Sequence, residues 1–168
     1  MLIYLIGEVF PMNKYEVLQE QACQNGIEVV DYLFENQQIK GLICDDTIAI
    51  QKTVSTQSEK SCILAEELGH YYTTVGDIID QSSAANRKQE LRARLWAYNC
   101  QIGLRGIITA FDRNCKSIHE MADCLDVTEE FLKEAITAYR NKYGICTEFD
   151  NYIIFFEPHL AVLKTVSD

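Results

Sequence analysis

A helical segment in the middle of the chain carries two carboxylates and an imidazole on one side. Glu66 and His70 are four residues apart, so they lie one turn apart on the same face of a helix, and Glu67 falls in the same quadrant. Two side chains at i and i+4 are what a helix offers a single metal ion, and a carboxylate at i+1 then lies beside the metal-bound water. The spacing therefore indicates a candidate hydrolytic metal site.

A tetrahedral site of this kind needs a third protein ligand and an open position for water. Glu90 follows on the next predicted helix, and two helices joined by a polar loop can pack antiparallel and bring it across. Gly69 costs roughly 1 kcal/mol relative to alanine inside a helix, and a close approach by a neighbouring backbone or by substrate would explain it. The alternative is an ordinary acidic helix face, on which His70 makes a core hydrogen bond and Glu90 pairs with Arg94 at i+4.

The elements that must position these residues predict an α+β fold with a small sheet and two long site helices. Thr56 and Glu59 form a capping box that opens the first long helix, and a polar loop at 80–86 precedes the second. We predict helices over 14–25, 57–73, 87–101, 104–112, 117–125 and 128–143, a strand over 27–34, and hairpins over 40–51 and 152–166. The expected domains are 1–103, which holds the site, and a helical and hairpin appendage, 104–168, packed as one unit with it.

Composition and charge restrict the function classes. The net charge of −10 repels a phosphate backbone, so we expect no nucleic-acid partner. Seven cysteines without a C-x-x-C pair favour reduced thiols in the cytoplasm over a disulfide framework or a cysteine zinc site. The apolar segment Met1–Phe10 is too short for a signal peptide or a membrane span, and we expect it to form an extra strand or an extended arm without a membrane partner.

Two segments together resemble the ImmA/IrrE family of metallopeptidases, which are encoded largely on phages and mobile elements. The first is LAEELGHYY, which begins at Leu64, and the second is NRKQELRARLWAY, which begins at Asn86. The family pattern is H-E-x-x-H followed by a glutamate on the next helix, and the resemblance extends over nearly the whole chain after about Asn13. It implies a minimal zincin-like fold, with His70 and Glu90 as ligands and Glu67 as the general base.

The departure from the family pattern is Glu66, which stands where the family has its first histidine. Either Glu66 replaces that ligand or the metal site is weakened or lost. Two carboxylates and a neutral histidine offset the charge of Zn²⁺ completely, so the bound water should be less acidic than usual. Zinc is the expected ion, and manganese or another divalent ion is the alternative because oxygen ligands suit harder cations.

The function that this resemblance implies is site-specific cleavage of a helix-turn-helix repressor by a metal-activated water. The competing hypothesis is a non-catalytic protein that keeps the fold and binds a repressor or toxin partner, and Glu66 is the residue that favours it. A third hypothesis, a transcription factor, follows from the helix-turn-helix outline of 117–139. The acidic side chains of its second helix argue against that role.

Other residues have two interpretations each. Cys62 lies one turn before Glu66 and is either a thiolate ligand or, more in keeping with an amphipathic helix, a buried core residue. A di-iron site would need a second Glu-x-x-His motif on the partner helix, and the segment around Glu90 has no such motif. Strand Ile48–Ile50 either offers an edge to an extended substrate or is an ordinary central strand. The remaining candidates are a basic patch (Arg87, Lys88, Arg92, Arg94), two isolated histidines (His119, His159) and three tyrosines for oxyanion stabilisation (Tyr71, Tyr72, Tyr98).

Overall fold

The computed structural model describes residues 12–73 and 83–165. These residues form six helices and two three-stranded sheets, which confirms the α+β class. The expected strand or arm at Met1–Phe10 lies outside the described residues. The helices are α1 Lys14–Gln24, α2 Gln57–Thr73, α3 Ser83–Gln101, α4 Gly103–Asp112, α5 Ile118–Leu125 and α6 Glu129–Tyr143, and the strands are β1 Glu28–Tyr32, β2 Gly41–Cys44, β3 Thr47–Gln51, β4 Cys146–Phe149, β5 Tyr152–Phe155 and β6 Ala161–Lys164.

The first sheet has the strand order β1-β3-β2, with β3 parallel to β1 and antiparallel to β2. Asp45 has φ of 51° and lies in the tight turn of the predicted hairpin, a conformation that Asp and Asn tolerate well. The fully buried Ile48 and Ile50 of β3 point into the core. Strand β3, which contains Ile48–Ile50, pairs on both sides and is therefore a central strand rather than an edge that could bind a substrate. Strand β2 lies at an edge of the described sheet.

Helices α2 and α3 pack directly on each other through Gly69. A Cβ at this position would lie 2.3 Å from the carbonyl oxygen of Ala93, so only glycine permits the observed approach. The close approach of a neighbouring backbone thus accounts for a glycine inside a helix.

Helix α3 begins at Ser83, whereas we predicted a loop up to Asn86; residues 80–82 of that loop lie outside the described residues. The good helix formers Ala84 and Ala85 explain the earlier start.

The C-terminal part adds α4, α5 and α6 and a second, antiparallel sheet of order β4-β5-β6. A hairpin was predicted here, and β4 is an additional strand joined to β5 through Asp150, whose φ is 52°. One cluster of buried side chains extends from Tyr15 in α1 through Ile102 and Ile107 to Val162 in β6. The core is therefore continuous across residue 103, the expected boundary between 1–103 and an appendage packed as one unit with it. None of the described helices has the length and apolar character that crossing a membrane requires.

Candidate functional site

His70 and Glu90 face each other across the contact between α2 and α3. The Nε2 atom of His70 lies 3.4 Å from Oε2 of Glu90, and both side chains remain partly exposed. Two ligands of one tetrahedral zinc ion lie roughly 3.3–3.6 Å apart, because each bond measures about 2.0–2.2 Å. The two side chains are therefore separated by the distance that a shared ion would need.

Glu66 lies one turn before His70 in a partly buried, acidic setting. The pKa of this carboxyl is raised to about 7: burial is the largest cause, Arg94 opposes it, and the negative charges of Glu134, Glu90 and Glu130 add to it. The fully charged cluster is therefore costly, and a positive charge placed among these carboxylates would stabilise it.

Glu67 lies between α2 and strand β2. A Cβ on Gly41 would come within 2.8 Å of the Oε1 atom of Glu67, so the strand backbone passes directly beside this carboxylate. The pKa of Glu67 is raised to about 7, first by burial and then by the charge of Glu66, with a smaller contribution from Glu90, while a hydrogen bond from the backbone of Ile43 lowers it. A carboxylate that exchanges its proton near neutral pH has the property that a general base requires.

Arg94 and Glu134 belong to the same group of side chains, although we did not predict them as site residues from the sequence. The Nε of Arg94 donates to Oε1 of Glu90 at 2.7 Å, and its Nη1 lies 3.7 Å from Oε2 of Glu134 on α6. The hydroxyl of Tyr98 donates to the same Glu134 oxygen at 2.9 Å. Glu90 therefore contacts both Arg94, as the i+4 spacing predicted, and His70.

Glu66, Arg94 and Glu134 border a cleft of about 270 Å³ between α2, α3 and α6, whereas Glu67, His70 and Glu90 are not among its lining residues. Its lining includes the buried Cys62, whose thiol pKa is raised to about 11, chiefly by burial. A thiol with that pKa stays protonated at neutral pH, which favours the core interpretation of Cys62. The cleft is acidic, since its charged lining residues are Glu59, Glu66, Glu130 and Glu134 against Lys40 and Arg94.

The tyrosines proposed for oxyanion stabilisation have different surroundings. The hydroxyl of Tyr98 is engaged by Glu134, and burial together with this bond raises its pKa well above the ordinary value. The rings of Tyr71 and Tyr72 are in edge contact, and Tyr72 also packs on Trp96. Among the described residues the Tyr72 hydroxyl is buried without a hydrogen-bond partner.

The remaining candidates lie at the surface. His119 is exposed and pairs with Glu129 and Asp123, at 3.1 and 3.5 Å. His159 is also exposed. In the basic patch, Arg94 makes the contacts described above, whereas the other members are exposed: Arg87, Lys88 and Arg92. None of these exposed residues adds a ligand atom to the candidate metal site.

Carboxylate and imidazole groups are suitable ligands for a divalent cation, and the distance between His70 and Glu90 suits one shared ion. Within residues 12–73 and 83–165, no three His, Cys, Asp or Glu side chains already form a group that could hold an ion. The assignment of Glu66 as a third ligand therefore stays a prediction. Comparison of the chain with protein-family models, with curated proteins and with solved structures found no match.

Proposed function

We propose that the protein is a metal-dependent endopeptidase with a minimal zincin-like fold of the ImmA/IrrE type. The observation that carries this proposal is the 3.4 Å contact between His70 and Glu90, formed by two helices in the order that the motif requires. The expected substrate is a helix-turn-helix repressor of a phage or mobile element in the cytoplasm. The resemblance of the two helical segments to that family is the basis for this substrate class.

Glu66, His70 and Glu90 are the residues that would hold the ion, with zinc expected and manganese as the alternative. A bound ion of this kind would act as a Lewis acid, which acidifies water and polarises a carbonyl group. Glu67 accepts the proton of the attacking water and later returns it to the leaving amine. Its pKa of about 7 suits both transfers, because a catalytic acid–base group works best when its pKa lies near the working pH.

Strand β2 is the element that we expect to bind the substrate backbone. It lies at an edge of the described sheet and passes beside Glu67 at Gly41. An extended peptide that added to this edge would form main-chain hydrogen bonds and lie next to the catalytic carboxylate. We predicted this strand-addition role as one alternative for β3, and we assign it to the neighbouring strand because β3 pairs on both sides.

The test compares the wild type with Glu67→Gln, each loaded with zinc and separately with manganese. A repressor encoded next to the protein's gene serves as substrate, and the products are identified by mass spectrometry. We expect cleavage by the wild type and loss of cleavage in the variant at equal metal content. The exposed Glu28→Gln variant removes one negative charge elsewhere and should cleave normally. Equal cleavage by the wild type and Glu67→Gln would refute the general-base role.

A second candidate function is a non-catalytic protein that binds the repressor or toxin partner. The observation that favours it is the guanidinium of Arg94, which already supplies a positive charge beside Glu90 and Glu134. In this alternative Arg94 replaces the ion and no water is activated. A protein that binds its partner tightly in EDTA, takes up no zinc or manganese and leaves the partner intact would support this function over the peptidase.

A further inference from the structure

The two carboxylate oxygens of Glu90 have different neighbours. Oε1 accepts from Nε of Arg94 at 2.7 Å, whereas Oε2 lies 3.4 Å from Nε2 of His70. The Glu90 side chain is 45% exposed, so packing alone does not hold it in one rotamer. A partner that binds one oxygen would therefore decide where the other oxygen points.

Arg94 is itself held from the far side of the cleft. Its Nη1 lies 3.7 Å from Oε2 of Glu134, and that same oxygen accepts from the hydroxyl of Tyr98 at 2.9 Å. Tyr98 is 2% exposed, and its ring packs on Phe131 of α6 with a centroid distance of 5.0 Å. A continuous series of contacts thus runs from the core to the exposed Glu90 carboxylate.

We propose that Arg94 and Glu134 are positioning residues that turn Oε2 of Glu90 toward His70. This inference rests on the proposed function, since it assigns the two residues to support a ligand. The guanidinium fixes one oxygen of the carboxylate and leaves the other beside the imidazole. Glu134 acts through Arg94 and touches neither the ion nor the substrate. Helix α6 therefore contributes to the site from within the C-terminal part of the chain.

Metal affinity of the full-length protein tests this role without any cleavage assay. Zinc and cobalt affinities are measured by competition with a chromophoric chelator, and the visible spectrum of bound Co²⁺ reports the ligand geometry. Loss of an outer partner typically weakens metal binding about 10- to 100-fold. We expect a loss of this size for Arg94→Gln, a smaller loss for Glu134→Gln, and partial recovery in Arg94→Lys, which keeps the charge but not the guanidinium.

Matched controls separate positioning from charge and folding. Arg92→Gln changes an exposed arginine of the same helix, and Glu129→Gln changes a glutamate of α6 that pairs with Lys133. Both should bind zinc like the wild type. Because Glu134 acts through Arg94, the double variant Arg94→Gln/Glu134→Gln should bind no more weakly than Arg94→Gln alone. Urea unfolding of each metal-free variant shows whether the fold is intact.

The outcomes distinguish this inference from the proposed function. Zinc affinity that is unchanged in folded Arg94→Gln overturns the positioning role, and tighter binding overturns it by showing that Arg94 competes with the ion. If the wild type binds no divalent ion, the proposed function fails. The contacts of Arg94 with Glu90 and Glu134 are then tested in the metal-free protein. The NMR signal of the Arg94 Nε–H group should shift in Glu90→Gln and in Glu134→Gln but not in Glu129→Gln. Absence of that shift in Glu134→Gln also overturns the inference.

Discussion

Replacing Glu67 with glutamine should stabilise the metal-free protein at pH 8 while it abolishes cleavage. The pKa of Glu67 is raised to about 7, first by burial and then by the charge of Glu66. Because the folded-state pKa is raised, the neutral carboxyl contributes stability below its ordinary pKa of 4.5, and this contribution is lost as the pH rises to about 7. Glutamine resembles the neutral carboxyl at every pH, so it removes the penalty that ionisation imposes.

The expected size follows from the same pKa. A rise from 4.5 to about 7 corresponds to roughly 3 kcal/mol of preference for the neutral form. The charge of Glu66 is coupled to this value, and the side chain is only partly buried, so solvent screening reduces the effect. We therefore expect Glu67→Gln to raise the free energy of unfolding by about 1–2 kcal/mol at pH 8 and by a small part of that at pH 5.

Urea unfolding in EDTA at pH 5 and pH 8 measures this difference, with the wild type, Glu67→Gln and the exposed Glu28→Gln compared at equal ionic strength. Glu28→Gln controls for removing one charge from an acidic chain and should gain little at either pH. A gain in Glu67→Gln that is equal at both pH values would show that ionisation of Glu67 is not its cause. Destabilisation at pH 8 would refute the reasoning altogether.

Three further predictions concern the helix contact, the edge strand and the departure from the family pattern. Gly69→Ala should lower the free energy of unfolding by about 1–3 kcal/mol, because its Cβ would lie 2.3 Å from the Ala93 carbonyl oxygen; an unchanged urea midpoint would contradict this. Gly41→Ala should slow cleavage more than it changes zinc affinity, since its Cβ would lie 2.6 Å from Cγ2 of Ile63 and 2.8 Å from Oε1 of Glu67, so that the Glu67 carboxylate would have to move; equal losses of cleavage rate and zinc affinity would contradict this prediction. Glu66→His should tighten zinc binding in a chelator competition because imidazole is a good zinc ligand, and weaker binding would identify Glu66 as an adapted ligand.

The elements that hold the predicted site residues could be predicted because their signals are local. Thr56 accepts from the backbone N–H of Glu59 at 3.2 Å, as the capping pattern predicts, and α2 has the predicted bounds. The i, i+4 spacing placed Glu66 and His70 on one helix face. A polar loop between two long helices allowed Glu90 to lie opposite His70, and the family resemblance singled it out. Each step depends on a few neighbouring residues and on one antiparallel helix pair.

The rest of the candidate site depends on contacts between distant parts of the chain. Glu134 lies 40 residues after Arg94 and meets it only because α6 packs against α3. No periodicity in either helix encodes that contact. The position of β3 has the same origin, since alternation along a strand tells which face is buried but not which strands pair with it. Residues 83–86 are a different case, because two alanines outweighed a polar composition that resembled a loop.

Helix α6 has the outline of a recognition helix but uses its apolar face for the core. Phe131, Leu132, Ala135 and Tyr139 are buried, and Glu134 is engaged with Tyr98 and Arg94. A helix that entered a DNA groove would need a free, basic face, whereas the charges that α6 presents to the cleft are carboxylates. The helix-turn-helix outline is therefore better explained by the packing of α5 and α6 on α3 and α4 than by DNA recognition. In this arrangement the turn at Asp126, which adopts φ of 49° at the end of α5, brings Glu130 and Glu134 to the same cleft as Glu66.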